Sequence, residues 1–362
     1  MTLIVMREAT YRPLEAAQML GLTKDSLLAY EREGRIPGSR RDEKGNRFYT
    51  DEDVEAIRSA IGVRPKLADP PAILAVFNMK GGVGKSTISS NLAWKLARSG
   101  FRVMAIDADP QGHMTTSLGE EPSDFEQTLL QAIVPDQKRH TAHVSEVRAR
   151  LNPNLHLIPA NLSMCSMNLL LFQQPEREYR LRRMLEDVRR LGEYDLVVID
   201  SPPSYDLTSL NILLACDFLL APVKLDGNSF YGLQYLFDSI RDIAYTYRYT
   251  IPLVAIVPNH YNSSYTVSRQ ILDGLREHYA SHITRTVVRQ DVNFDKANAL
   301  RQPIFVTAPS SKGSRDLEDL SSELSELFRN RQVRNSPNYE QEEALLHEVH
   351  AKARTLAHEL TL

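Results

Sequence analysis

The sequence contains little cysteine, little tryptophan and no large excess of charge. Its 362 residues include two cysteines, Cys165 and Cys216, and one tryptophan. Both cysteines stand in apolar surroundings without metal-ligand spacing, which excludes a disulfide framework or a cysteine-based metal site. We expect two buried core thiols in a reducing compartment. The 43 basic and 46 acidic side chains give a formal net charge of −3, so nucleic acid could bind only through local basic patches.

Long apolar runs are also missing. No stretch approaches the roughly 18–20 apolar residues that a membrane-spanning helix needs. The first apolar run, Met1 to Met6, is too short for a secretory signal. We therefore expect a cytoplasmic protein that does not bind membranes. A chain of 362 residues is long enough for one large core and a smaller second domain.

A glycine-rich stretch, residues 80–87, lies between an apolar segment and a helical pattern. Residues 72–77 are typical of a buried parallel strand and residues 88–97 of a helix. This order predicts a phosphate-binding P-loop, in which Lys85 neutralises phosphate charge and the Ser86 hydroxyl binds Mg²⁺. The predicted nucleotide-binding residues are Gly81, Gly82, Val83, Gly84, Lys85, Ser86 and Thr87. The alternative is a glycine-rich turn that only opens a helix.

Acidic residues follow two further apolar segments. Asp107 and Asp109 come after residues 103–106, and Asp200 follows residues 196–199. Carboxylates at strand ends can serve Mg²⁺ and water beside the phosphates, although either site alone could be an acid that caps a loop. Apolar segments alternate with helical patterns, which predicts an α/β fold with a mostly parallel twisted sheet and helices on both faces. The first of these predicted strands has its apolar run at 73–77, and those not yet named are 155–158, 218–221, 253–257 and 303–306.

The N-terminal segment, residues 1–66, has a different pattern. A helical apolar face ends at Gly21, and Thr23 can cap a second helix. A small β-hairpin is expected between residues 34 and 49, and Thr50 can cap a third helix. This order predicts a winged helix-turn-helix domain. The predicted linker is 67–71, the ATPase domain is 72–330, and the C-terminal amphipathic helix is 331–362.

The N-terminal segment resembles the MerR-type winged helix-turn-helix in residues 16–22, 26–37 and 47–53. The resemblance implies a DNA-binding surface with some residues near the major groove and others on phosphates. The groove candidates are Lys24, Ser26 and Tyr30, and the phosphate candidates are Arg40, Arg41, Lys44 and Arg47. Because basic and acidic residues nearly cancel over this segment, a solvated helical dimerisation module remains the alternative.

Residues 72–330 resemble ParA/MinD-type P-loop ATPases, and the ParA branch most closely. The resemblance rests on Lys80 within a deviant Walker A motif, on residues 107–111 and on residues 200–203. It implies an ATP-sandwich homodimer in which Lys80 reaches the phosphates of the partner. Within each subunit it implies that Asp109 positions the attacking water. The other implied roles are Mg²⁺ binding by Asp107 and Asp200, and adenine contacts by Asn259 and Pro309.

ParA-type proteins also bind DNA non-specifically, so the resemblance implies basic residues that contact phosphates. The candidates are Arg269, Arg285, Arg289 and Arg315, each of which could also be an ordinary surface charge. Residues 331–362 predict an acidic amphipathic helix. This helix lacks the basic, strongly apolar face that binds membranes.

These observations predict an ATP- and Mg²⁺-dependent DNA-partitioning ATPase that is cytoplasmic and associated with the nucleoid. The resemblance implies stimulation by a ParB-like centromere-binding adaptor, while the winged domain would add operator binding and self-repression. Two other interpretations stay open. The protein could be a transcriptional regulator that senses ATP, or a ParA-like positioner of a protein cargo.

Overall fold

The computed structural model describes residues 9–65, 67, 71–136, 140–226, 229–249 and 253–329. A small N-terminal domain precedes a large α/β domain. The small domain consists of β1 (Thr10–Tyr11), α1 (Pro13–Met19), α2 (Lys24–Arg32), β2 (Arg40–Arg41), β3 (Arg47–Thr50) and α3 (Asp51–Ile61).

The small domain has the predicted helix-turn-helix and wing. The Thr23 hydroxyl accepts a hydrogen bond from the Ser26 backbone N–H at 3.1 Å and so caps α2. Thr50 caps α3, and the Asp53 carboxylate accepts the Thr50 N–H in return at 2.9 Å, which completes a capping box. Strand β3 pairs antiparallel with both β2 and β1, of which β1 was not predicted. The domain has its own core, which includes the fully buried Leu27.

The large domain alternates strands and helices along the chain. Its strands are β4 (Ala72–Val76), β5 (Val103–Asp107), β6 (Ala149–Asn152), β7 (Leu155–Ile158), β8 (Leu196–Asp200), β9 (Phe218–Lys224) and β10 (Leu253–Asn259). Its longer helices are α4 (Lys85–Arg98), α9 (Arg180–Leu191), α10 (Leu207–Ala215), α11 (Ser229–Tyr247), α12 (Thr266–His278) and α15 (Lys312–Arg329). The shorter ones are α5 (His113–Ser117), α6 (Leu129–Ile133), α7 (Val144–Val147), α8 (Met167–Phe172), α13 (Asn293–Ala299) and α14 (Ile304–Thr307), with 3₁₀ turns at Pro122–Asp124 and Leu162–Ser166.

The strands form one seven-stranded sheet in the order β10-β9-β4-β8-β5-β7-β6. The strand pairs are parallel except at the edge, where β6 runs antiparallel to β7. Side chains of β4 alternate between two buried clusters, because successive residues of a strand point to opposite faces. Helices α4 and α15 contribute to one cluster, and α9 to α12 contribute to the other. The predicted α/β sheet with helices on both faces is confirmed.

The sheet order brings the predicted site residues to one edge. Strand β8 lies between β4 and β5, and Asp200 stands in register with both Val76 and Asp107. Residues 80–84 lie in the loop that follows β4, and residues 85–87 form the first turn of α4. Because the three strands are parallel, their carboxyl ends meet at this edge, which is where ligands of such sheets bind.

One predicted strand is wrong. Residues 304–306 belong instead to α14, with Pro303 at its N-cap, and the Ile304 N–H donates to the Asn91 side chain of α4 at 2.8 Å. The ring of Phe305 stacks on Trp94 with a centroid separation of 5.5 Å. These apolar side chains therefore pack on α4 and add no strand to the sheet.

The predictions for the two cysteines and for the C-terminal helix have different outcomes. Cys216 is buried as expected, but Cys165 is exposed in the 3₁₀ turn before α8, so its prediction as a core thiol is wrong. The predicted C-terminal helix, 331–362, lies outside the described residues. Among the helices that the structure describes, none is long and apolar enough to cross a membrane.

Candidate nucleotide site and basic surfaces

The P-loop is shaped by one glycine and one asparagine. Gly84 directly precedes α4 with a φ of +91°, a left-handed conformation that glycine adopts without strain. A Cβ at Gly84 would lie 2.4 Å from the Asn259 amide nitrogen. That amide donates to the Val83 carbonyl at 2.7 Å, so the end of β10 braces the loop. Asn259 thus has a defined role in shaping the loop, and its predicted adenine contact stays a prediction, as does that of the exposed Pro309.

Lys85 lies inside the loop that it was predicted to serve. Its side chain is largely buried, and its Nζ donates to the Lys80 carbonyl at 3.2 Å. Burial lowers the pKa of Lys85, while the nearby carboxylates of Asp200 and Asp109 act in the opposite direction. The N-terminal turn of α4 and a buried amine therefore face the same cradle, an arrangement that attracts a polyphosphate.

Two buried carboxylates end neighbouring strands beside the loop. Asp107 accepts hydrogen bonds from the Thr115 N–H and hydroxyl, both at 2.8 Å. Asp200 is fully buried, and neither of its carboxylate oxygens has a hydrogen-bond partner among the described residues. Burial and the neighbouring carboxylate of Asp107 raise the pKa of Asp200 well above its ordinary value. Burial likewise raises the pKa of Asp107.

This carboxylate pair fits a divalent cation. A buried carboxylate without a partner is costly, and a cation would supply the missing positive charge. Ser86 and Ser89 of α4 lie close enough to Asp200 to lower its pKa, which opposes part of the effect of burial. One hydroxyl and two carboxylates supply only oxygen ligands, and Mg²⁺ completes such sites with water and phosphate oxygens. The described residues contain no cluster of three or more His, Cys, Asp or Glu side chains that would suggest another metal.

Asp109 is nearly buried and lies two residues beyond the end of β5. Its carboxylate accepts the Gln111 N–H at 3.0 Å, and its own N–H donates to Asp107 at 3.2 Å. These hydrogen bonds place Asp109 beside Asp107, one of the two residues predicted to bind Mg²⁺. Its predicted role in positioning water is consistent with that location and stays a prediction.

Lys80 has a different partner from Lys85. Its Nζ donates to both carboxylate oxygens of Asp226, at 2.7 and 2.8 Å, just beyond β9. Both side chains are about one-third exposed. The two lysines of the loop therefore divide their contacts, with one amine inside the cradle and the other outside it at the surface.

Three residues support the site through contacts that the sequence did not predict. The Asn78 side chain accepts the Lys80 N–H at 2.9 Å and donates to the Pro222 carbonyl at 2.8 Å, which fixes the entrance of the loop. Thr115 holds Asp107, and Asp226 holds Lys80. Asn78 stands between a strand and a glycine-rich loop, and that position was the only sequence signal for it.

Comparison of the sequence with known proteins identifies the family of this chain. A family model described as an AAA domain matches residues 71–252, and one described as a MerR HTH family regulatory protein matches residues 11–62. The chromosome partitioning protein ParA of Caulobacter vibrioides is 31% identical over 267 residues, covering 74% of this chain and 98% of that protein. The chain belongs to the ParA-type ATPases. The predicted family and the MerR-like domain are confirmed.

Two further relatives extend the comparison. The cell division protein PomZ of Myxococcus xanthus is 35% identical over 313 residues, which cover 86% of this ParA-type chain and 92% of PomZ. Cobyrinic acid a,c-diamide synthase of Mycobacterium smegmatis, solved with an ATP analogue and magnesium, superposes with a TM-score of 0.60 at 25% identity. That match covers 72% of this chain and 96% of the synthase.

The winged domain of this ParA-type ATPase exposes most of its DNA-binding candidates. Lys24, Arg41 and Lys44 are exposed and have no carboxylate partner among the residues that the structure describes. By contrast, Arg40 forms an ion pair with Asp53 at 3.0 Å, and Arg47 lies 3.6 Å from Glu31. Ser26 and Tyr30 lie on α2, where the Tyr30 ring stacks under the Arg35 guanidinium at 3.9 Å.

The predicted non-specific DNA contacts divide into two groups. Arg289 donates to both oxygens of the buried Asp316 at 3.0 and 3.1 Å, and Arg285 contacts Glu326 at 3.0 Å. These carboxylates of α15 reduce the positive charge that a phosphate would meet there. Arg269 and Arg315 are exposed and form no ion pair with any residue in the described ranges. The four assignments stay predictions, and the structure favours the second pair.

Proposed function

We propose that this ParA-type ATPase binds Mg²⁺ and ATP at residues 80–87 and forms a nucleotide-sandwich homodimer that partitions DNA. The observation that carries the proposal is that the two lysines, Lys80 and Lys85, have different positions and different partners. Lys85 lies inside the cradle, whereas the Lys80 amine lies outside it on Asp226. An amine held at the surface beside the cradle is suited to neutralise phosphate charge in trans, as an arginine finger does.

DNA binding is the second part of the proposal. The ATP dimer would bind duplex DNA non-specifically through exposed arginines, chiefly Arg269 and Arg315. The winged domain would bind an operator through α2 and the wing, where the exposed side chains of Lys24, Arg41 and Lys44 would contact phosphates. A ParB-like adaptor would stimulate hydrolysis and release the protein from the nucleoid.

One observation favours a second candidate function. The match to PomZ covers 86% of the chain, against 74% for the Caulobacter ParA, and PomZ is a cell division protein. The protein could therefore position a protein assembly on the nucleoid and not a DNA locus. The nucleotide cycle would be the same, and only the adaptor would differ.

The deciding experiment measures oligomeric state and DNA affinity in the same nucleotide states. Light scattering after size exclusion should show a dimer with Mg·ATPγS and a monomer with Mg·ADP. Lys80→Ala should stay monomeric with Mg·ATPγS, while Lys95→Ala, which lies on α4 away from the cradle, should dimerise normally. Asp109→Ala should accumulate as an ATP-bound dimer because water positioning is lost.

Affinity for random duplex should rise with ATP and fall steeply with salt, because phosphate contacts release counterions. If ATP-bound and nucleotide-free protein bind random duplex equally at physiological salt, the partition proposal fails. Stimulation of ATP turnover by a DNA-binding adaptor or by a protein-only adaptor separates the two candidate functions.

A further inference from the structure

The small domain touches the large one at the end of the P-loop helix. Arg58, on α3, donates from its two terminal nitrogens to the Ser99 carbonyl at 3.1 Å and to the Arg98 carbonyl at 3.0 Å. Its side chain is 3% exposed. These are carbonyls of the last turn of α4, which have no partner within the helix and carry partial negative charge. A buried guanidinium from one domain thus caps the helix of the other.

Arg98 makes the reciprocal contact. Its guanidinium lies between the ring of Tyr11 at 4.0 Å and the ring of Trp94 at 4.4 Å, and it comes within 3.7 Å of Asp51 at the start of α3. Tyr11 and Asp51 belong to the small domain, whereas Trp94 belongs to α4. Arg98 is therefore enclosed by both domains, which makes the contact specific in geometry as well as in charge.

The junction has two further supports. Glu55 of α3 accepts a hydrogen bond from Asn154, in the turn between β6 and β7, at 2.6 Å, and also pairs with Arg64 beyond α3. Gly100 has a φ of +97°, and a Cβ there would lie 2.4 to 2.7 Å from the Arg58 guanidinium. The glycine therefore permits both the turn after α4 and the close approach of Arg58.

Helix α4 thus joins two sites. Its first residues form the phosphate cradle, and its last carbonyls bind Arg58. At 1.5 Å per residue its 14 residues span roughly 21 Å. A hydrogen-bonded helix moves as one body, so any displacement of its first turn would reach its last turn directly.

We propose that Arg58 is a positioning residue through which nucleotide binding at the P-loop changes the docking of the winged domain. The proposal rests on the proposed nucleotide binding and goes beyond it, because it assigns the coupling between the ATP site and the winged domain to one contact, that of Arg58 with the last carbonyls of α4. The link is reciprocal: whatever holds the winged domain in place also changes the affinity for nucleotide.

Docking can be measured by cross-linking across the junction. Glu52 of α3 and Arg150 of β6 approach each other to 4.0 Å, and both are at least half exposed. The experiment uses a variant with Glu52→Cys and Arg150→Cys, in which Cys165→Ser removes the exposed native thiol. The initial rate of cross-linking by a short bismaleimide is then compared with and without Mg·ATPγS. Binding of a fluorescent ATP analogue is measured in the same samples.

We expect Mg·ATPγS to change the cross-linking rate by at least about fivefold, the lower end of typical allosteric coupling. Arg58→Gln should make the rate independent of nucleotide, and Arg58→Lys should restore part of the effect because one amine cannot bond both carbonyls as the guanidinium fork does. Arg35→Gln, which removes an arginine from the same domain away from the junction, should keep the full effect. Emission of Trp94, the single tryptophan of the chain, should report the same transition.

Each outcome discriminates. If the analogue binds but the cross-linking rate does not change, the coupling is refuted while the proposed nucleotide binding stands. If the analogue does not bind, the proposed function itself fails. A full nucleotide effect in Arg58→Gln would show that Arg58 does not carry the coupling. Should that variant not fold, Arg58→Lys and Trp94 emission of the otherwise unchanged protein decide the question.

Discussion

Removing the charge of Asp200 should stabilise the nucleotide-free protein while destroying its Mg²⁺ site. Asp200 is fully buried, its oxygens have no hydrogen-bond partner in the described structure, and the carboxylate of Asp107 stands beside it in register. Asp200→Asn keeps the shape of the side chain and removes the charge. Because burial and Asp107 raise the pKa of Asp200, its charged form is disfavoured, and removing that charge should raise the free energy of unfolding by roughly 1–3 kcal/mol, the cost of leaving a buried polar group unpaired.

The gain should depend on pH with a definite sign. In the folded state the pKa of Asp200 is raised above its ordinary value of 3.8, so the native protein binds more protons than the unfolded chain between the two values. The free energy of unfolding therefore falls as pH rises through this window, which begins near 3.8 and extends upward. In Asp200→Asn the side chain does not ionise, so its free energy of unfolding does not fall for this reason. Its advantage over the wild type should be smallest at the acidic end of the range and should grow as the pH rises.

Thermal unfolding from pH 4.5 to 8 without nucleotide or Mg²⁺ is the assay. A change of 1 kcal/mol shifts the Tm by roughly 2–4 °C for a domain of this size. Asp195→Asn is the matched control, since Asp195 is also nearly buried but accepts hydrogen bonds from the Arg102 backbone and guanidinium. That change should lower stability by roughly 1–3 kcal/mol, because it weakens a satisfied pair. If Asp200→Asn lowers the Tm as Asp195→Asn does, Asp200 is not an uncompensated charge and the reasoning is refuted.

The remaining predictions concern the basic residues and the carboxylate partner of Lys80. Lys85→Ala should abolish nucleotide binding in an equilibrium titration, and normal ATP affinity would remove the P-loop assignment. Asp226→Asn should release Lys80 and lower the concentration needed for ATP-dependent dimerisation by roughly two- to fivefold, the range of a partly exposed ion pair; an unchanged dimer constant in sedimentation would contradict this role. Arg269→Ala should weaken binding to random duplex and reduce the salt slope by about one. Arg289→Ala should chiefly lower the Tm, and a loss of DNA affinity as large as that of Arg269→Ala would reverse this ranking.

Much of the fold and of the nucleotide site could be predicted because local patterns determine them. The cap residues Thr23 and Thr50 are adjacent in sequence to the helices they begin, so their role is visible without the fold. The alternation of apolar strands with helical patterns fixes the parallel sheet, and parallel strands necessarily bring Asp107 and Asp200 to the same edge. Their binding of Mg²⁺ stays a prediction.

The missed features depend on contacts between residues that are distant in sequence. Residues 303–306 have the composition of a strand, but their partners are Asn91 and Trp94 on α4. The exposure of Cys165 depends on how the turn before α8 lies on the domain. The pairing of Arg289 with Asp316 joins two segments that no local pattern relates. The sequence shows that such residues are apolar or charged, but their contact partners are determined only by the packing of the folded domain.

The contact between Lys80 and Asp226 bears on how the proposed dimer could distinguish ATP from ADP. To act in trans, the Lys80 amine has to exchange a carboxylate for the phosphates of a partner subunit. A carboxylate carries one negative charge, so the exchange is favourable only where the partner offers a greater charge at the reach of this side chain. A triphosphate provides that charge at its terminal phosphate, and hydrolysis removes it. In this scheme Asp226 is the internal competitor that makes dimerisation depend on the γ-phosphate.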